Sequence, residues 1–317
     1  MKKVLLATTV LALSATVAAA EVKLSGNARM GVVYNGDSAN NKLQFASRIR
    51  AVFTMSGETD NGLAFGGSFR ADNAGNAAKG SAGNVFISGA FGKLAMGDVV
   101  GAAEEVIGDL PEIGFQDLSG SLVLDAAEND ILFLTGDGSV YASLDNPGAL
   151  YTYSTGALTF ALGANDGATN LSNVLFPSAV DSNRTRAYSV GVKYAIDNYS
   201  VALGYEVANP QGAPSAKHLI LGGNATFGTT TVTAFYGDGS GAISGLKHYG
   251  LGVSHKVDAL TVKGYVKRTE VPGEKVTAYG IGADYALGGG ATLSGGLIDN
   301  NAPGSNVRAD LGVKFSF

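Results

Sequence analysis

The 317-residue chain has no cysteine and no tryptophan, three histidines and seven prolines. Without cysteine there is no disulfide framework, zinc–thiolate site, iron–sulfur cluster or thiol nucleophile. His218, His248 and His255 are spread too widely to read as a clustered metal site. No G-x-S-x-G elbow, G-x-x-x-x-G-K-[ST] loop or H-E-x-x-H helix occurs. Pairs such as Asp109 with Glu112, or Glu128 with Asp130, arise by chance in so acidic a chain and fix no glycosidase geometry. The 22 basic residues against 27 acidic ones speak against a general nucleic-acid binder. Basic residues are also unevenly placed: none occurs between residues 94 and 183. After residue 21 no apolar run approaches the length of a spanning helix.

What is abundant is glycine, 46 residues, roughly double the usual share of about 7%. Interior glycine costs a helix about 1 kcal/mol, which argues against a mostly helical protein. The N-terminus reads as an export signal: Lys2 and Lys3, an apolar run from Val4 to Leu13, then Ala18-Ala19-Ala20 as the cleavage site. Removal of residues 1–20 predicts a mature chain that begins at Glu21, with 20 basic residues against 27 acidic ones.

From Val22 onward the pattern has period two. Val22, Leu24, Ala28, Met30, Val32 and Tyr34 oppose Lys23, Ser25, Asn27 and Arg29. Tyr199, Val201, Leu203, Tyr205 and Val207 oppose Ser200, Ala202, Gly204 and Glu206, and the last strand alternates from Val307 to Phe317. Such alternation gives strands with one apolar and one wet face. Sixteen strands are predicted, near 21–34, 43–56, 63–71, 84–90, 94–98, 148–154, 158–164, 185–195, 199–206, 217–226, 230–236, 247–256, 260–267, 276–286, 291–298 and 307–317. Their connections alternate between tight turns and longer polar stretches, the latter including 207–216, 237–246 and 268–275. That is an antiparallel up-and-down meander with two different ends.

Sixteen strands enclose more space than their apolar side chains can fill, so the apolar face must point outward into lipid. Closure removes the edges that lipid cannot solvate. The reading is a transmembrane β-barrel, all-β, over residues 21–317, with Gly, Ala, Ser and Thr lining a watery lumen. Tyr34, Tyr151, Tyr153, Tyr188, Tyr194, Tyr199, Tyr205, Tyr265, Tyr279 and Tyr285 are candidates for interfacial aromatic girdles. One connection, 99–147, is far too long for a hairpin and too apolar for disorder, and it fits as a loop folded into the lumen. Between Asp98 and Asp145 lie eleven acidic residues. Arg29, Arg48, Arg50 and Arg70 fall on three neighbouring strands at inward positions. A basic wall facing an acidic loop sets a field across the pore: charges about 7 Å apart interact by roughly 2.4 kcal/mol at an effective dielectric near 20, and about 0.6 in water. Such a channel passes ions and small hydrophilic solutes, weakly favouring cations because of the acidic loop.

The blocks Glu21-Val22-Lys23-Leu24-Ser25-Gly26, Ala28-Arg29-Met30-Gly31-Val32, Phe53-Thr54-Met55-Ser56-Gly57, Ser88-Gly89-Ala90-Phe91-Gly92-Lys93, Gly108-Asp109-Leu110 and Ala309-Asp310-Leu311-Gly312-Val313-Lys314-Phe315 stand in that order. In them the chain resembles the general porins of purple-bacterial (alphaproteobacterial) outer membranes. The resemblance implies a homotrimer of 16-stranded barrels in the outer membrane, each with its third long loop folded inward as an eyelet. It implies that Arg29, Arg48, Arg50 and Arg70 form the eyelet's basic side and Glu104, Asp109, Glu112 and Asp117 its acidic side. It further implies that Phe317 is the signal read by the barrel assembly machinery, and that lipid and lipopolysaccharide surround the barrel. Calcium at loop carboxylates is known in that family and suits oxygen ligands, although no EF-hand-type spacing occurs here. No other cofactor is implied. The chain departs from the pattern at Pro111 and over 119–146, which leaves Glu128, Asp130 and Asp137 without a role. Two other readings remain open from the residues: a substrate-selective channel, with Phe86, Phe115 and Phe133 as a sugar track, and a secreted soluble β-protein that binds carbohydrate.

Overall fold

A computed structural model describes residues 20–317 except 37, 39, 117, 119–130, 137–147, 169–184, 211–213 and 300–305. The proposed signal segment 1–19 lies outside the described residues. Sixteen antiparallel strands close into one barrel, each paired with its sequence neighbours and the last with the first. They are β1 (Glu21–Asn35), β2 (Leu43–Glu58), β3 (Ala64–Arg70), β4 (Asn84–Gly89), β5 (Gly92–Gly97), β6 (Gly148–Thr155), β7 (Leu158–Ala168) and β8 (Thr185–Ile196). There follow β9 (Tyr199–Asn209), β10 (Ala216–Phe227), β11 (Thr230–Gly241), β12 (Lys247–Val257), β13 (Leu260–Val271), β14 (Glu274–Gly288), β15 (Ala291–Asp299) and β16 (Arg308–Ser316). Among the described residues, two short α-helices interrupt the meander, α1 (Ala74–Ala77), which follows a 3-10 turn at Ala71–Asn73, and α2 (Ala102–Ile107).

The alternation sorts side chains as period two demands. Phe45, Ile49, Val22, Leu24 and Val85 stand exposed on the outer wall, Phe45 at 94%. An outside this apolar is stable only against lipid. At one end the strands reverse through tight turns; in two of them Asp197 and Asp258 take φ of 50° and 52°, a left-handed conformation that aspartate tolerates. The ends meet where Gly26 and Phe317 exchange backbone hydrogen bonds of 3.2 and 2.9 Å.

Four expectations need correction. The long connection expected at 268–275 is a two-residue turn, Pro272–Gly273, because β13 and β14 run on past the apolar pattern. Charges carry that extension: Glu270 meets Lys275 of β14 at 3.2 Å and Arg268 of its own strand at 2.9 Å, and stands opposite Lys247 of β12. Similarly β11 continues to Gly241, which shortens the connection expected at 237–246. Tyr265 is not a girdle residue; it points inward and is buried. Finally, much of the Gly- and Ala-rich inner face meets protein rather than water, since the barrel's buried apolar cluster joins wall residues Ile220, Phe235, Tyr265 and Ile298 to loop residues Val106, Ile107, Leu110 and Ile113.

Candidate functional site: a charged recess beside the inward loop

After β5 the chain leaves the wall and turns into the barrel. Its outgoing and returning limbs touch in an antiparallel bridge between Val100 and Gly136. On α2 the residues Ala102, Ala103, Val106 and Ile107 are buried against the inside of the wall. What faces them is glycine. A side chain at Gly204 on β9 would begin 2.6 Å from Ala103 Cβ, and one at Gly222 on β10 2.6 Å from Ile107 Cγ2. Farther along, Pro111 lies over Gly252, Ile113 over Gly280 and Gly296, and Phe115 over Gly31 and Gly312. The outgoing limb therefore follows the inner wall from β8 round to β1, in a track where Cβ atoms are missing.

Several wall side chains hold the loop's backbone, Asn165 Oδ1 of β7 among them, accepting from Gly136 N at 3.2 Å. Ser189 Oγ accepts from Ala102 N at 2.9 Å, and Asp310 Oδ2 accepts from Gln116 N at 2.9 Å. Glu206 accepts from Leu134 N at 2.9 Å and Thr135 N at 3.0 Å. None was singled out in the sequence as a loop anchor. The available signal was a polar residue at an inward strand position among small ones, and it does not distinguish an anchor from a wet wall.

On the basic side, the register sets Arg48 opposite Arg29 and Arg29 opposite Lys314, so three cations stand abreast on β2, β1 and β16. Directly opposed like charges destabilise a sheet, so packing alone gives no reason for this row. Arg48 donates to Asn27 Oδ1 at 3.3 Å, and Arg29 donates to the Gln116 carbonyl of the loop at 3.1 Å. Arg50 and Arg70 both face Asp72, at 3.5 and 3.7 Å. Lys314 and Asp72 were missed as site residues: Lys314 alternates on the last strand as any inward residue would, and Asp72 follows β3 outside any strand pattern.

From the acidic side, Glu112 joins Arg29, Arg48, Lys314, Phe115 and Gln116 in lining a polar recess of about 380 Å³. Asp109 is exposed, does not line that recess, and accepts from Ile131 N at 3.3 Å, tying the two limbs together. Glu104 lies half-buried in the first turn of α2 and likewise does not line the recess. Asp117 lies outside the described residues, as do Glu128, Asp130 and Asp137. Among the described residues no group of three His, Asp or Glu side chains is arranged to hold a metal ion. The aromatic sugar track does not form either: Phe115 and Phe133 are buried under the loop, and Phe86 carries Lys93 Nζ 4.8 Å above its ring. His218 and His248 face inward, and although far apart in the chain their rings stack with centroids 4.8 Å apart. His255 lies on the outer face, 2.7 Å from Thr230 Oγ1.

The sequence matches the Gram-negative porin family over residues 7–302. This chain belongs to that family. It is 44% identical to a porin of Rhodobacter capsulatus over 94% of this chain and 100% of the relative. A porin of Fuscovulum blasticum is 29% identical, again over 94% and 100%. Among solved structures, a porin refined at 1.8 Å superposes with a TM-score of 0.81 at 41% identity, over 94% of this chain and all of the other. A Rh. blastica porin variant superposes at 0.66 with 23% identity, which speaks for the fold alone. This porin is thus an outer-membrane channel, and the closed barrel with its lipid-suited outside is the structure that such a location requires.

Proposed function

We propose that this porin is a general-diffusion pore for ions and small hydrophilic solutes, narrowed to an eyelet. Arg29, Arg48, Arg50 and Arg70 form the basic side and Glu104, Asp109, Glu112 and Asp117 the acidic side. The observation that carries this reading is the recess in which Glu112 meets Arg29, Arg48 and Lys314. Charges of both signs at one narrow, water-filled place orient dipolar solutes and leave apolar ones to shed ordered water. Transport is passive, without cofactor, energy input or catalysis. Burial of Phe115 and Phe133 favours general diffusion over a sugar-selective track.

The same reading includes export with removal of residues 1–20, barrel assembly guided by Phe317, and a membrane of lipid and lipopolysaccharide. It also includes a homotrimer. Strands β3, β4 and β5 have seven, six and six residues. At about 3.3 Å per residue and a tilt near 40°, they cover less than the apolar band of about 25 Å. Beside them an apolar groove runs past Met55, Phe69, Ala74, Val85 and Met96. A wall too short for lipid is the natural side for neighbouring copies to cover.

Single-channel recording in planar bilayers, with and without a salt gradient, tests the pore and the trimer together. Large ohmic steps in threes with a mildly cation-favouring reversal potential are expected. No conductance from folded protein would overturn the open eyelet, and solutes that block at micromolar to millimolar concentration would favour the selective channel instead.

A further inference from the structure

Glu206 on β9, His218 on β10 and His248 on β12 are all fully buried on the inner side of the wall and do not line the charged recess. Glu206 and His218 are direct cross-strand partners. His248 reaches them across β11 at its paired residue Gly237, where a Cβ would lie 2.0 Å from His248 Nε2 and 2.7 Å from His218 Nε2. Only glycine lets the two rings meet. His218 Nε2 and His248 Nε2 are 2.8 Å apart, and His218 Nδ1 is 3.2 Å from Glu206 Oε2. Glu206 in turn holds the returning limb of the loop through Leu134 N, Thr135 N and the Thr135 hydroxyl, the last at 2.6 Å. The chain of contacts runs from the loop backbone to Glu206, His218 and His248.

Proton positions in this chain are constrained. An ionised Glu206 accepts from the loop and from His218 Nδ1–H. His218 Nε2 then accepts from His248 Nε2–H, which leaves His248 Nδ1 as a lone pair. That atom is buried and has no hydrogen-bond partner, as a bare lone pair needs none so urgently as a buried N–H would. Both rings are neutral in this arrangement. Among the described residues, the charged groups near the rings are Glu206 and Lys267 on β13, also buried; Phe235 of β11, Thr269 of β13 and Thr135 of the loop bring no charge. An added proton creates a buried imidazolium with an unmet N–H, beside a lysine. Protons on both rings set N–H against N–H across the 2.8 Å contact.

We propose that Glu206, His218 and His248 form a proton-sensitive latch that positions the returning limb of the inward loop. With neutral rings the latch is closed. Protonation forces the rings apart, draws the Glu206 carboxylate toward the new cation, and frees Leu134 and Thr135. The inference that current responds to the latch rests on the reading above that this loop sets the aperture.

Two readouts separate the latch from the aperture. Because the chain has no cysteine, a spin label at Leu132→Cys, a half-buried residue of the returning limb, reports loop motion directly. Single-channel recording reports current. Both are followed from about pH 8 to pH 4, a span that includes the window in which imidazole charge changes. His248→Gln keeps an N–H for His218 and cannot titrate. In the otherwise unaltered protein the label should become mobile, and closing events should grow about tenfold more frequent, as pH falls toward about 4, because the added proton is buried beside Lys267. In His248→Gln both profiles should be flat there, with conductance at pH 8 retained. Coincident mobility profiles with and without His248 would overturn the latch. A mobile label with unchanged current would support the latch and overturn the aperture reading. Should His248→Gln fail to fold, Thr135→Val removes one loop donor and should give a mobile label and frequent closures already at pH 8; a loop as still as the unaltered one would overturn the proposal.

Discussion

Phe115 offers the sharpest test of whether the loop docks as its own unit. Its ring is 1% exposed and lies where glycines at 31 and 312 leave out side chains that would begin 2.8 Å from it. Phe115→Ala deletes that ring from a closely fitted site, a change that costs about 3–5 kcal/mol in protein interiors. The barrel is closed by sixteen ladders that do not involve Phe115. The loss should therefore fall on loop docking, a sub-global unit with its own opening equilibrium. At about 1.4 kcal/mol per tenfold, the docked-to-undocked ratio should drop by a factor of roughly one hundred to several thousand. Trypsin has no site between residues 94 and 183, so a glutamate-specific protease is the suitable probe, with Glu112 three residues away. Phe115→Ala should be cut in the loop far faster, with noisier single-channel current and nearly unchanged barrel melting. Phe45→Ala, at a site 94% exposed on the outer wall, is the control and should do neither. Equal protection of Phe115→Ala and the parent would refute the reasoning; a large fall in barrel melting would show that loop and wall unfold as one.

Further expectations concern the charges and the wall. Arg48→Gln with Arg50→Gln should push the reversal potential further toward cations, most strongly at low salt, since a charge about 7 Å from the ion path contributes roughly 0.6 kcal/mol, or about 2.7-fold in local ion density. Asp72→Asn should move it the other way, because Asp72 offsets both Arg50 and Arg70; zero-current potentials in a salt gradient read both. Gly222→Val would begin 2.6 Å from Ile107 and should cost about 1–3 kcal/mol by overpacking, seen as altered conductance with the barrel intact. Phe317→Ala should slow refolding into detergent or assembly in cells, followed by heat-modifiable gel mobility, while mature pores conduct normally.

The barrel was readable because period two is imposed by two solvents at once. Residues such as Ile49 and Arg48 cannot exchange faces without placing charge in lipid, so the sequence carries the register strand by strand. The inward placement of Arg29, Arg48 and Arg50 was readable for the same reason, whereas the share of Lys314 in the row was not. Legibility ended where one solvent gave way to protein. Glu206 and Asp310 look like lumen residues by pattern, and only the folded loop shows that they accept its amides. The extension of β13 and β14 was hidden because its stabilising pairs are charged, and charge in a strand reads as a loop. The grouping of Glu112 with Lys314, some two hundred residues apart in the chain, depends on the path of the loop, which no local pattern encodes.

The glycine content finds its reason in that path. Glycine inside a strand is unfavourable by about 0.5–1 kcal/mol relative to alanine, so a wall that needed only a small residue facing water would use alanine or serine. Where glycine stands at 204, 222, 252, 280 and 312, a loop atom lies within 3.1 Å of the Cβ that is absent; at Gly264 the nearest atom belongs to a neighbouring strand, 3.2 Å away. The first group is thus a mould of the loop, and the second is ordinary sheet. Closeness of the loop to the wall also keeps the rest of the lumen open, because each atom that sinks into the track is withdrawn from the solute's way. The inner face answers two demands on arcs that meet at β1: glycine along β8 round to β1 to receive the loop, and arginine on β1 to β3 to face what passes.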